Sequence, residues 1–251
     1  MQISLAISPT VAATPKGAFS PASIGGLQLW LDASDASTLF QNSNGTTAAS
    51  ADGDPVGYWG DKSGNSNHCL QTDGTKKPLL KTSIQNSKNV VRNDGVNDFL
   101  KSLTGGNDQS YTIFCVNIKR GTGRHMMVFS TGEEVTGKRR CLWHYDNSRM
   151  AFNGLNRDFS STFSWDIGVT NVAQIKNNLT TPIIQKNNLT PQQGTVTLVS
   201  HVATNIFIGS NNATTENYQG DYCEVVYYSG LISDDNKTLL LLYLNTKWGV
   251  Y

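Results

Sequence analysis

Charge is scarce in this chain. Asp, Glu, Lys and Arg together make up 16% of its 251 residues, and the formal net charge is +1. That balance gives no electrostatic footprint for nucleic acid or for an anionic membrane surface. No apolar run approaches the length that spans a bilayer, so membrane insertion is not expected. The cysteines, Cys69, Cys115, Cys141 and Cys223, are far apart and form no Cys-x-x-Cys. Four reduced, packing thiols are therefore expected, not a disulfide framework or a zinc set. The first 13 residues lack the basic segment, apolar core and cleavage pattern of a signal peptide, so export by the general secretory route is not expected. The Asn-x-Thr sequons at Asn44, Asn178, Asn188, Asn212 and Asn236 then carry little weight. His68, His125, His144 and His201 show no triad or metal spacing and receive no role.

Gly, Ser, Thr and Asn are abundant instead, as in a chain of many turns and polar strand faces. The length suffices for one all-β sandwich with a full core. Residues 27–31 alternate as a strand should, and residues 32–40 open a single helical turn. Residues 111–119 form a long β-rich run. Residues 126–130, 138–144, 150–153, 169–176, 195–199 and 205–209 are further strands, separated by Gly, Asn, Ser or Pro. Lys176-Asn-Asn-Leu-Thr recurs as Lys186-Asn-Asn-Leu-Thr, which reads as two neighbouring strand ends of a meander. Short strands at this spacing argue for a sandwich.

Both ends differ from this middle. Residues 1–24 hold Pro9, Pro15 and Pro21 and only a brief alternation at Ile3, Leu5 and Ile7. Prolines at that density oppose helix and central strand, so an extended arm is predicted before a domain over residues 25–251. At the other end residues 221–228 are rich in aromatic and β-branched types and read as a strand. Ser233 then caps a helix, Asp234 and Asp235 suit its positive end, Lys247 its negative end, and Gly249 stops it.

Four blocks near the start, residues 27–34, Asp52-Gly-Asp-Pro-Val-Gly-Tyr-Trp, Asp61-Lys-Ser-Gly-Asn-Ser-Asn-His and Val91-Arg-Asn-Asp-Gly-Val-Asn-Asp-Phe-Leu, resemble a laminin G-like, concanavalin A-like jelly-roll domain. The ending is similar too: Gly220-Asp-x-x-Glu-Val-x-x-Tyr, a Ser-Asp capped helix, then Lys247-Trp-Gly. The version most resembled is common in bacteriophage virion proteins. The resemblance implies an all-β, two-sheet antiparallel jelly roll with one short C-terminal helix, the strand at 27–31 lying beside that at 222–228. It further implies a non-enzymatic virion component, a capsid decoration, head fibre or tail receptor-binding subunit. Its partners would be other virion proteins, sister subunits and host-surface glycans, and it would assemble in the host cytoplasm. The alternatives are a carbohydrate-binding module of a bacterial surface protein and a glycan hydrolase.

Each candidate chemistry has a plainer rival. Hydrolysis by retaining glucanases that share this sandwich needs paired carboxylates, and their Glu-x-Asp-x-x-Glu strand pattern is missing. No cofactor is expected. Calcium is the open alternative, with Asp61, Asp94 and Asp98 as candidate ligands, although such residues commonly hydrogen-bond their own turns. Sugar binding points to Trp143, Tyr145, Asn153, Arg157 and Trp165, in the stretch least like the resembling blocks. Lys138-Arg-Arg is read as a solvated hairpin end, and a buried Glu224 would need a partner such as Arg92. The helix carries Leu240, Tyr243, Leu244 and the Lys247 stem on one stripe, yet residues 239–242 are unbroken leucine. An assembly interface is therefore expected at its outer face, through Leu239 and Leu241, and along the arm at Leu5 and Ile7.

Overall fold

The structure, a computed structural model, describes residues 19–103, 110–123, 125–132, 136–146, 149–199, 205–211 and 216–251. Two antiparallel sheets pack face to face. The first runs in the order Gln192–Gln193, Ile183–Lys186, Thr170–Asn177, Tyr111–Lys119, Gln219–Ser229, Lys88–Asp94, Leu79–Gln85, and Leu27–Asp32 pairs with the far half of Gln219–Ser229. The second runs Phe159–Ser164, Arg149–Asn153, Arg139–His144, Met126–Gly132, Ile206–Ile208, Leu100–Ser102, Cys69–Leu70, Tyr58–Trp59, Leu39–Phe40. This is the all-β sandwich expected, with the first and last strands side by side. All four cysteines are buried and free.

Strand alternation sorts the side chains into layers. Leu29, Leu31, Val128, Leu142, Phe152, Val225 and Tyr227 meet in the core between the sheets. Val226, Tyr228, Phe114, Val116 and Val172 face the other way, under the C-terminal helix. That phase changes once. The pairing of Gln219–Ser229 with Tyr111–Lys119 skips a residue between Tyr222 and Glu224, a β-bulge at Cys223. The extra residue turns Glu224 to the helix side, together with Val226 and Tyr228.

The helix spans Asp234–Trp248. Ser233 caps it by accepting from the amide of Asn236, and Gly249 ends it at φ 61°, in the left-handed region. Leu240, Leu241, Leu244 and Trp248 are buried against the sheet, each apolar side chain contributing about 1.5–3 kcal/mol. Glu224 pins the same face. It accepts from Trp30 Nε1 at 2.6 Å, Trp248 Nε1 at 2.7 Å, Tyr243 Oη at 3.0 Å and Lys247 Nζ at 2.7 Å. Lys247 also reaches Asp32, the cross-strand partner of Glu224, at 2.7 Å, and Asp32 holds Lys62 at 2.9 Å. Burial raises the Glu224 pKa against the pull of Lys247. Asp32 is lowered: burial pushes it upward, but Lys247, Ser34 and Lys62 together prevail.

Several expectations are corrected here. Glu224 does not pair with Arg92, which binds Asp221 at 2.5 and 2.9 Å, with Arg120 on the same carboxylate. Both arginines are engaged by Asp221, which precedes the bulge on the same strand as Glu224. Lys138-Arg-Arg is no solvated end. Arg140 is fully buried and donates to the carbonyls of Gly137, Arg139 and Val199, and Arg139 is buried as well. Residues 195–199 form no strand; Val196 and Leu198 donate singly to Thr180 and Leu179. Leu241 is 7% exposed, on the inner side of the helix, whereas Leu239 and Leu242 are 43% and 60% exposed. A rotation of about 100° per residue sets Leu241 roughly opposite Leu239, so the two cannot share an outer face. Leu5 and Ile7 lie outside the described residues.

Candidate functional site

The sugar candidates divide between the faces of the second sheet. Arg139, Cys141 and Trp143 alternate along Arg139–His144 toward the outer face, and Tyr145 follows on that side. Cross-strand pairing brings Met127 and Ala151 beside Trp143, and Asn153 beside Cys141. Trp165 is elsewhere. It is fully buried and lies edge-on to His144 at 5.8 Å, so it is core and not a platform. Nor is Trp143 itself an open platform, being 3% exposed. His125 lies over it at 4.6 Å between ring centroids and over Tyr145 at 5.6 Å. The accessible aromatic surface is therefore His125 and Tyr145. Arg149 stands over the Tyr145 ring at 5.1 Å, held by Asp146 at 2.6 Å.

A hydrogen-bonding row borders these rings. Arg139 Nη1 donates to Glu216 at 3.2 Å and to Asn153 Oδ1 at 3.3 Å. Asn211 Nδ2 donates to Glu216 at 2.5 Å, and His125 Nδ1 lies 3.9 Å from the same carboxylate. The Trp143 indole N–H and Asn211 Oδ1 are buried without a protein partner. Beyond Asn153 the row opens into a polar cavity of about 280 Å³, lined by Asn156, Arg157, Asp158, Thr195, Val196 and Thr197. Asp158 accepts from the Gly154 amide at 3.0 Å. Partial burial of its carboxyl raises its pKa, opposed by that amide and by Arg139.

The backbone around this face is unusual. His125, Leu155 and Asn156 have φ of 58°, 51° and 58°, a region that side-chain-bearing residues rarely enter and that concentrates at binding sites. Thus Tyr145, Asn153 and Arg157 come together along one face, and Trp143 supports it from beneath. His125, Arg139, Asn211, Glu216 and Asp158 were not legible as members. They come from separate strands and loops, and only the pairing of those strands makes them neighbours.

The calcium candidates are engaged by backbone amides, of their own turns and, for Asp61, of strand Leu27–Asp32 as well. Asp61 accepts from the amides of Trp30, Ser63 and Asn67 and from the Ser63 hydroxyl, at 2.6 to 2.9 Å. Asp94 caps Val96 and Asn97, and Asp98 accepts from the Asp94 amide. Among the described residues no three His, Cys, Asp or Glu side chains converge as a metal set.

No protein-family model matches the chain, and no curated protein sequence does. Solved structures do. A Trypanosoma rangeli sialidase in complex with sialic acid superposes with TM-score 0.55 at 13% identity, over 88% of this chain and 33% of its own. An arabinofuranosidase complexed with arabinofuranosyl-α-1,2-xylobiose gives 0.56 at 16% identity, over 77% and 51%. The botulinum neurotoxin serotype D binding domain gives 0.59 at 12% identity, over 88% and 53%. The chain thus spans a third to a half of these proteins. At such identity the likeness shows the fold, a β-sandwich. It also corrects the expectation of a non-enzymatic chain. Sialidase and arabinofuranosidase carry this fold within their length, so the sandwich by itself does not exclude glycan hydrolysis.

Proposed function

We propose that the chain is a carbohydrate-binding sandwich that holds glycan along the outer face of its second sheet. One observation carries this reading: the His125–Trp143–Tyr145 aromatic group adjoins the Arg139–Glu216–Asn211–Asn153 hydrogen-bonding row, which runs on into the polar cavity at Arg157 and Asp158. Sugar rings stack their C–H faces on aromatic surface, and their hydroxyls need fixed donors and acceptors beside it. The sandwich of glycan-active proteins supports the same reading. A glycan array with wild type, Tyr145→Ala and Glu216→Gln tests it. Binding that falls at least tenfold in both variants is expected; no binding by wild type, or equal binding by all three, overturns it.

Hydrolysis at the same face is a second reading, favoured by two carboxylates close to Arg139. Asp158, with its raised pKa, would hold a proton for a leaving group, and Glu216 would act as base or nucleophile. Release of reducing ends that Asp158→Asn leaves intact would rule out that role. The virion setting, with particle proteins and sister subunits as partners, rests on the sequence blocks that resemble phage domains. Locating the chain on intact particles by cryo-electron microscopy tests it, and its absence from every particle would refute it.

A further inference from the structure

We propose that the arm preceding the sandwich folds back on its own domain, with residues 3–7 lying in an apolar groove on the outer face of the C-terminal helix. The groove has a volume of about 400 Å³ and is lined by Phe19, Leu239, Leu242, Tyr243, Thr246 and Lys247. Positions 239, 242, 243 and 246 share one helical face; Leu239, Leu242 and Thr246 point away from the sheet, and Tyr243 forms the edge of that face, its hydroxyl donating to Glu224. Leu239 and Leu242 stand exposed there at 43% and 60%. Contiguous exposed apolar surface of this kind marks a contact.

The occupant is identified by where the chain goes. Phe19 forms one wall of the groove, its ring 5.8 Å from that of Tyr243. Ser20 caps a short turn at Pro21–Ser23, and Tyr228 Oη donates to the Pro21 carbonyl at 3.0 Å, which fixes the chain at that point. The 18 residues preceding Phe19 therefore start at the edge of the groove. Among them Ile3, Leu5 and Ile7 alternate, so an extended segment presents all three on one side. From residue 3 to residue 7 such a segment measures about 13 Å, and Leu239 to Thr246 measures about 10 Å along the helix. The intervening residues 8–18 reach up to about 36 Å, ample for a return, with Pro9 and Pro15 suited to the turn. A tether this short holds the segment near millimolar effective concentration, which favours its own groove over that of a second copy.

The test uses the full chain carrying Leu242→Cys, since the four native thiols are buried. Maleimide labelling of Cys at 242 is measured with the arm intact and with Leu5→Asp, which leaves the sandwich untouched. Expected is labelling about tenfold slower with the native arm, the groove being open a tenth of the time or less, with rates independent of protein concentration. A Leu5→Cys, Leu242→Cys pair should oxidise to a monomeric product on a non-reducing gel. Equal labelling with and without Leu5→Asp overturns the proposal. So does protection that grows with protein concentration or a dimeric cross-link, either of which assigns the groove to a second copy.

Discussion

Replacing Lys247 by Met removes the one cation shared by Asp32 and Glu224 while keeping the apolar stem. Glu224 is fully buried, and after the change its remaining donors are Trp30, Tyr243 and Trp248, all neutral. Asp32 keeps Lys62. Removing one partner of a buried ion pair costs about 3–5 kcal/mol, because the other charge is left uncompensated. In a domain of this size that lowers Tm by about 6–20 °C. The effect depends on pH with a definite sign. The Glu224 pKa is raised on folding, so its contribution is intact below the unfolded carboxylate value and is lost as pH rises through the folded one. Without Lys247 that folded value climbs further, and the loss at neutral pH deepens. Asp32 is lowered on folding, so the stability it gains from Lys247 fades as pH falls. Both trends make the deficit of Lys247→Met largest near pH 7.5 and small near pH 4. Thermal unfolding of both proteins at the two pH values measures it. Adding Glu224→Gln to Lys247→Met should restore most of the loss at pH 7.5, as a double-mutant cycle reports. A deficit below about 1 kcal/mol, or one equal at both pH values, refutes the view that this cation neutralises a buried carboxylate.

Other predictions concern single groups. His144 is buried with both ring nitrogens unpartnered, and burial pushes its pKa down to about 3. A base depressed on folding loses stability as pH falls below its unfolded value, so His144→Phe should remove about 3 kcal/mol of the acid destabilisation between pH 7 and pH 4; an unchanged acid limb in pH-dependent melts refutes this. Burial beside Asp94 pushes Asp98 up to about 7. Its contribution is lost as pH rises through that value, so Asp98→Asn should be the more stable protein at pH 8 and near-neutral at pH 5 in denaturant titrations. Ser233→Ala removes the helix cap and should cost about 1 kcal/mol in the same assay.

Much of the frame was legible because its signals are local. Strand alternation, turn residues, the Ser233 cap and the Gly249 stop each act within a few residues, and the structure has them where the sequence puts them. The same locality explains the failures. Residues 195–199 alternate like a strand but make only scattered single bonds, from Val196 to Thr180, Leu198 to Leu179 and Val199 to Gly137, and strand identity requires a continuous ladder. Lys138-Arg-Arg reads as solvated because a charge run in isolation belongs in water, yet the fold buries Arg140 and gives its guanidinium the carbonyls of Gly137, Arg139 and Val199.

By itself the sequence determined that this is an all-β sandwich closed by one helix, and that Trp143, Tyr145, Asn153 and Arg157 lie near one another along the chain. Tertiary structure alone decided which of them share a face. It put Trp165 in the core, laid His125 over Trp143, and brought Arg139 on its strand against Asn211 and Glu216 in the segment between Ile206–Ile208 and Gln219–Ser229. It also decided the partner of Glu224. One extra residue at Cys223 shifts the strand phase and turns that carboxylate toward Lys247 on the helix, far from Arg92. A bulge is a property of the pairing between two strands, and neither strand carries it in its own sequence.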